Sequence, residues 1–257
     1  MLYGNETISH YTRSNVAIWM SLAFQAGILN IGGFMACHRF VSHVTGFATY
    51  FGLEAVRPGQ GQALGMLVVP TFFLLGAMLS GFLVDVRIRH NKKPKYYVTF
   101  GFMFLILLFV FLGGQFGFFG VFGEPLSSER DYVLLILLCM VCGIQNGTIT
   151  TVSKSVIRTT HLTGITTDLG IGLARLFSPD KTNGSLKNEI HATFMRFGII
   201  AFFCFGSLVG SFVFSRLGYF GFSIPLVTSG SLLSAMIYFQ FLKKSPKVKA
   251  AKIAHGK

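Results

Sequence analysis

The chain has 257 residues, of which 52% are hydrophobic and only 12% charged, with 30 Gly and 29 Phe. Soluble domains carry about 25% charged residues, so with a mean hydropathy of +0.61 a water-soluble fold is excluded and lipid is the expected solvent. The net charge of +13 would suit nucleic acid in a soluble protein. Here the basic residues fall between apolar runs, which is the positive-inside pattern of a membrane protein, and no nucleic-acid partner is expected.

The first residues, 1–15, are polar but not rich in Lys or Arg. The apolar run that follows continues to residue 36, too long for a signal-peptide core, so it is read as a retained first span over 16–36. His38-Arg39 interrupts, and 40–53 is too short and too polar to cross a bilayer alone. Pro58-Gly59-Gln60-Gly61 is a turn signal. A second span covers 63–84, with Gly76 and Ser80 at the small-residue spacing that lets another helix approach. A basic loop at 85–95 leads to a Phe-rich third span over 97–119, whose phenylalanines are read as lipid-facing. After an acidic connection at 124–131, the fourth span covers 132–150. A second short segment follows at 160–173, then a polar loop at 178–187. The fifth span, 193–215, holds Gly206 and Gly210 in answer to Gly76 and Ser80; a sixth covers 218–241, and 242–257 is a Lys-rich tail.

The short segments belong to a repeat. Gly27-Ile28-Leu29-Asn30 returns as Gly143-Ile144-Gln145-Asn146. The segment Ser42-His43-Val44-Thr45-Gly46 with Thr49 and Gly52 returns as Thr160-His161-Leu162-Thr163-Gly164 with Thr167 and Gly170. Only a two-residue insertion separates the copies. The chain is therefore read as one integral membrane domain of two related halves, about 16–119 and 132–241. The expected fold is all-α, with about six transmembrane helices in two three-helix repeats, each with a short broken or re-entrant helical segment.

Six spans place Arg13, the 85–95 loop, the basic residues of 154–187 and the tail on one side, which gathers most of the 22 Lys and Arg residues there. Arg39, Arg57, Arg130 and Arg216 fall on the other side and Arg196 inside the fifth span. Both termini are then cytoplasmic. Counting the short segments as full spans would give eight helices and send the lysine-rich tail outward, against the charge pattern. A three-span repeat enters the membrane the opposite way on its second occurrence, so the halves are expected to be inverted, with the two short segments meeting near the centre. Irregular backbone at that depth requires protein or a watery cavity around it.

The polar residues near these breaks are the candidate substrate-binding set: Gln25, Asn30, His43, Thr45 and Thr49 in one half, and Gln145, Asn146, His161, Thr163, Thr167 and Asp168 in the other. Gly27, Gly46, Gly76, Gly143, Gly164, Gly206 and Gly210 are the helix-breaking or packing positions beside them. One reading makes the polar set a midplane site for a small polar solute or ion; the other makes it hydrogen-bonding glue between helices. Histidine exchanges a proton near neutral pH, which favours the first reading for His43 and His161, although a structural pair would also recur in duplicated halves. Asp168 stands where the other half has Tyr50, and an intramembrane acid is a functional-site hypothesis, with Lys154 or Arg158 as partners. Cys37, Cys139, Cys142 and Cys204 lie in or beside apolar segments; Cys139-x-x-Cys142 is read as packing rather than redox chemistry. No His or Cys spacing suits a metal, no nucleotide loop or catalytic triad is present, and neither a cofactor nor an enzyme activity is expected.

At these residues the chain resembles the YoaK-like family of bacterial integral membrane proteins, a family defined as a domain of unknown function. The likeness lies in Ala26-Gly27 leading to Gly33-Phe34, in Phe40 to Gly46, in Gly143 to Asn146 and in Leu162-Thr163-Gly164, with the Gly76 and Gly206 helices fitting as well. The chain departs from it in having Asn30 where an acid is common and Phe47 where Asn is common. The resemblance implies a bacterial inner-membrane location and about six spans, and it implies no activity. The function expected from the residues themselves is small-solute or ion transport through a central site. The alternative is a non-transporting scaffold or a protein that binds lipid or a partner.

Overall fold

The computed structural model describes residues 13–56, 63–124, 129–152, 161–177 and 185–242. Among them there is no strand. The helices are α1 (Arg13–Cys37), α2 (Val44–Ala55), α3 (Ala63–Leu83), α4 (Asp85–Arg89), α5 (Tyr96–Gln115), α6 (Glu129–Val152), α7 (Leu162–Phe177), α8 (Ser185–Leu217) and α9 (Ser223–Ile237). A 3-10 turn, Gly218–Phe222, joins α8 to α9, and a π-helical turn, Tyr238–Leu242, follows α9.

Among the described residues five stretches are long and apolar enough to cross a bilayer: Asn15–Cys37, Ala63–Arg89, Tyr96–Gln115, Tyr132–Thr151 and Glu189–Phe241. The sequence reading separates six, and the difference lies in the last stretch, which runs for 53 residues through α8, the 3-10 turn and α9. Its two helical parts run in opposite directions. Met20 packs on Gly198, Gly27 on Phe203, Ile28 on Gly210 and Gly32 on Phe214, so α1 and α8 are parallel. Gly32 also meets Phe222 while Gln25 bonds to Thr228 and Ser229, so α9 opposes α1. The reversal falls at Gly218, whose φ of +53° is a left-handed conformation that costs glycine little.

The same residue pairs orient the other rods. Gly65 against Tyr132, Gly76 against Met140 and Gly147 against Ala77 make α3 and α6 parallel. Gln145 bonds to Gln25 and Leu22 while Cys139 bonds beyond the end of α1, so α6 opposes α1. Gly101 near Leu233 and Gly230 near Phe104 set α5 against α9. The six long rods α1, α3, α5, α6, α8 and α9 therefore alternate in direction along the chain.

Two of these packings are main chain on main chain. A Cβ built on Gly27 would strike the Phe203 carbonyl oxygen, and one on Gly206 the Phe24 carbonyl oxygen. At the other crossing, Gly143 meets the Phe73 carbonyl oxygen and Gly76 that of Met140. Such close approach gives dispersion contact and weak polar contact where burial of apolar surface drives nothing, since lipid is as apolar as leucine. Each crossing has one hydroxyl bond beside it: Ser207 Oγ donates to the Gly27 carbonyl at 3.3 Å, and Ser80 Oγ pairs with Thr148 Oγ1 at 2.9 Å.

The outer surface is apolar, with Leu64, Leu74, Phe82, Phe194, Phe197, Leu208 and Phe212 exposed. In α5 the phenylalanines divide: Phe102 and Phe109 are exposed as expected, whereas Phe100 is buried. The basic loop expected at 85–95 begins as the short helix α4, in which Arg89 Nε bonds Asp85 Oδ2 at 2.8 Å.

Candidate functional site

The site is built where α1 ends and the chain turns back into the bundle. His38 takes φ +53° just past α1, a left-handed helix-terminating position more often filled by glycine. Its N–H still reaches the Phe34 carbonyl at 2.8 Å, and its Nε2 lies 2.9 Å from the Gly123 carbonyl oxygen, which ties down the unusual conformation. Phe40 then stacks on Phe34 at 4.6 Å, and buried Val41 packs on Gly33 while its carbonyl accepts the Cys139 thiol at 3.2 Å. Ser42 donates to Asn30 Oδ1 through its hydroxyl at 2.9 Å and its N–H at 3.4 Å. Asn30 is less than one turn beyond Gly27, so these bonds bring the start of α2 back to about the depth of the glycine crossing.

Both short helices begin in the same manner. His43 occupies the N-cap position of α2, with no side-chain cap bond, and its carbonyl accepts the Gly46 N–H at 2.9 Å. His161 stands before α7, and its carbonyl accepts the Ile165 N–H at 3.2 Å. In each, the imidazole folds over the glycine three residues on. A Cβ on Gly46 would lie 3.0 Å from His43 Nδ1, and one on Gly164 2.6 Å from His161 Nδ1. From there α7 runs back along α8, with Gly172 against Thr193 and Arg175 Nη1 3.4 Å from Glu189 Oε2.

A cavity of about 820 Å³ lies between these helix starts. It holds both members of several repeat pairs: Asn30 and Asn146, His43 and His161, Thr45 and Thr163, Val44 and Leu162. Phe73 and Phe203, whose carbonyls make the two glycine crossings, also face each other's half across it. From this level the cavity extends past Ala77 and Gly81 to Asp85, Thr150 and Thr151, at the ends of α3 and α6. Neither imidazole, nor the buried Oδ1 of Asn146, has a hydrogen-bond partner among the described residues.

Other candidates sit elsewhere. Gln25 and Gln145 are buried in the core, where Gln25 Nε2 donates to Gln145 Oε1 at 3.0 Å and Gln145 Nε2 to the Leu22 carbonyl at 2.9 Å. Thr228 and Ser229 complete the set as donors to Gln25 Oε1. Thr49 and Thr167 each donate to the carbonyl one turn back, Thr45 at 3.1 Å and Thr163 at 3.0 Å, bonds that any threonine makes inside a helix. Asp168 is exposed on α7 away from the cavity lining; Lys154 and Arg158, its suggested partners, lie outside the described residues. Gly210 packs on Ile28 and Ile31 beside the α1–α8 crossing. Ser42, Phe73, Phe203, Thr150 and Asp85 are lining residues the sequence reading missed; the matching positions of Phe73 and Phe203 before Gly76 and Gly206 carry the signal that could have found the two phenylalanines.

The described lining contains one acid, Asp85, bridged to Arg89, and no Lys or Arg. Among the described residues no three His, Cys, Asp or Glu side chains are placed to hold a metal. What the site offers is neutral amides and hydroxyls, two imidazoles and a broad aromatic wall.

A helical fold with apolar rods long enough to cross a bilayer defines a protein of the membrane type. The chain belongs to the family described as protein of unknown function (DUF1275), whose family model matches residues 18–238, in keeping with the YoaK-like resemblance. No curated protein and no solved structure matches the chain.

Proposed function

We propose that this protein is a transporter or channel for a small solute or ion in the bacterial inner membrane, built from two inverted repeats around one central site. The observation that carries the reading is the cavity's lining, which takes its residues in pairs from the two copies of the repeat. Inversion is supported by direction: α1 and α6 begin the two copies and oppose each other, as do their counterparts α5 and α9 at the close. Polar residues at mid-depth in a membrane are costly unless a water-filled or substrate-filled space surrounds them. The Lys and Arg distribution supports cytoplasmic termini, and with that orientation the cavity's extension toward Asp85 and Thr151 points inward. The described lining offers no nucleophile–base pair, and the reading is of a carrier and not an enzyme.

The test places a single cysteine at Asn146 in a background lacking Cys37, Cys139, Cys142 and Cys204, in proteoliposomes of known orientation. A membrane-impermeant thiol reagent should reach Asn146→Cys from both faces, while Ser80→Cys, buried against Thr148, should stay unlabelled. Labelling from one face only would indicate a one-sided binding pocket for lipid or a partner. Labelling from neither face would indicate dry packing and a scaffold.

A further inference from the structure

Resting on the transport reading, we infer that the central cavity takes a small organic monocarboxylate, an apolar body ending in one weak acid, and that it binds together with a proton held on His43 or His161. Volume is the first argument. A space of about 820 Å³ lies within the ~300–1,000 Å³ of pockets that enclose organic ligands, and it far exceeds what a dehydrated inorganic ion needs. Among the described residues no three His, Cys, Asp or Glu side chains gather to hold a metal ion there either.

The wall decides the body of the ligand. Phe40, Phe73 and Phe203 line the cavity together with Val44, Leu162 and Ala77. The backbones of Phe73 and Phe203 are fixed beside the cavity, since their carbonyls are seated on Gly143 and Gly27 at the two crossings. A fully hydrated or many-hydroxyl solute would leave its polar groups facing these rings unpaired, at a cost that a mostly apolar body avoids.

The polar end is decided by what remains unpaired. Both imidazoles line the cavity without a hydrogen-bond partner among the described residues, and each ring is held by its contact with Gly46 or Gly164. Among the described residues the charged and titratable groups around them are few. Arg39 and Tyr50 share a small recess with His43, Arg39 being stacked over the Tyr50 ring at 4.2 Å. Asp85 lies farther along the cavity, bridged to Arg89 at 2.8 Å. A protonated imidazole gives a carboxylate a charge-assisted bond and cancels its charge. The pair then occupies an apolar membrane interior as a neutral unit, which a lone anion or a permanent cation does not. The positive ends of the α2 and α7 starts point the same way.

The test is calorimetric titration of the detergent-solubilised full chain with four probes: benzoate, hexanoate, benzamide and inorganic phosphate, each at pH 6 and pH 8. A carboxylate titrating near ~4.3 is ionised at both values, whereas histidine ordinarily titrates near ~6.5. Requiring one imidazole proton therefore predicts tighter carboxylate binding at pH 6 than at pH 8. Benzamide should bind more weakly and without that dependence, and phosphate should not bind. His43→Gln with His161→Gln should flatten the pH dependence of benzoate, and Phe73→Leu should weaken benzoate and benzamide alike. Equal benzoate affinity at the two pH values, a flat response to the histidine substitutions, or phosphate binding as tightly as benzoate overturns the assignment. The site and its ligand class fail separately. If Asn146→Cys is labelled from both faces and no carboxylate binds, transport stands and the monocarboxylate is wrong; if Asn146→Cys is labelled from neither face, the transport reading itself falls.

Discussion

Replacing Gly206 by alanine tests whether the bundle is held by main-chain contact. The new Cβ would stand 2.9 Å from the carbonyl carbon of Phe24 and 3.0 Å from its Cα, where carbon atoms rest at about 3.5–4.0 Å. Because the atoms struck belong to a helix backbone, no side chain can turn aside, and the rods must separate by roughly half an ångström or more. Overpacking of this kind costs about 1–3 kcal/mol, and the rigid obstacle places it at the upper end. Alanine recovers up to about 1 kcal/mol in helix propensity. A net loss of about 2 kcal/mol is expected for Gly206→Ala, and a similar loss for Gly143→Ala, whose Cβ meets Phe73 at the same two distances. Because both glycines of one crossing suffer from the same separation, Gly27→Ala with Gly206→Ala should cost less than the sum of the two, while Gly143→Ala with Gly206→Ala should add. The buried thiols of Cys139 and Cys142 provide the assay, since a thiol-reactive dye labels them only on unfolding, in a reversible SDS titration. Gly170→Ala is the control, having no neighbour within 4 Å. If Gly206→Ala and Gly143→Ala are as stable as Gly170→Ala, the crossings are not held by close backbone contact and the reasoning fails.

Two further outcomes are expected. Reporters inserted in the 85–95 loop and after Lys257 should read cytoplasmic and one at 124–130 external; a carboxyl terminus on the opposite side from the 85–95 loop would refute the alternation of six rods. Glu189 holds Arg196 at 3.2 Å with both side chains 17% exposed, and Arg175 at 3.4 Å, so Glu189→Gln should cost about 1–3 kcal/mol, below the ~3–5 of a fully buried pair because Arg175 is open to solvent. A double-mutant cycle with Arg196→Gln measures the coupling, and a neutral Glu189→Gln would show that the pair is only a surface contact.

The long rods were legible because composition and length state them, and the glycine spacing near Gly76 and Gly206 marked the helices that approach most closely. The starts of α2 and α7 were legible as interruptions, since His38-Arg39 and the repeated His-x-Thr-Gly break the apolar run. Function-bearing polarity was harder to sort. Asn30 and Asn146 line the cavity while Gln25 and Gln145, similar in chemistry and nearby in sequence, bond to each other across a separation of 120 residues. Nothing in one helix records which partner its neighbour will present. Gln25 and Gln145 are not counterparts in the repeat, so symmetry gave no hint that they meet. Phe73 and Phe203 went unremarked for the opposite reason: an aromatic in a membrane helix suits lipid, core and cavity equally, and only the packing of α3 against α6 and α1 against α8 brings these two to the cavity.

The two glycine crossings also decide how the molecule can move. Each unites one helix from each copy of the repeat, α1 with α8 and α3 with α6, by direct backbone contact at the glycines. The most closely packed helix pairs therefore join the two sequence copies and do not separate them. The α1–α6 seam between them is crossed by the bonds of Gln145 to Gln25 and Leu22, three side-chain or carbonyl groups that can exchange partners without unpacking a helix. The seam between these helix pairs and the boundary between the two copies of the repeat therefore do not coincide.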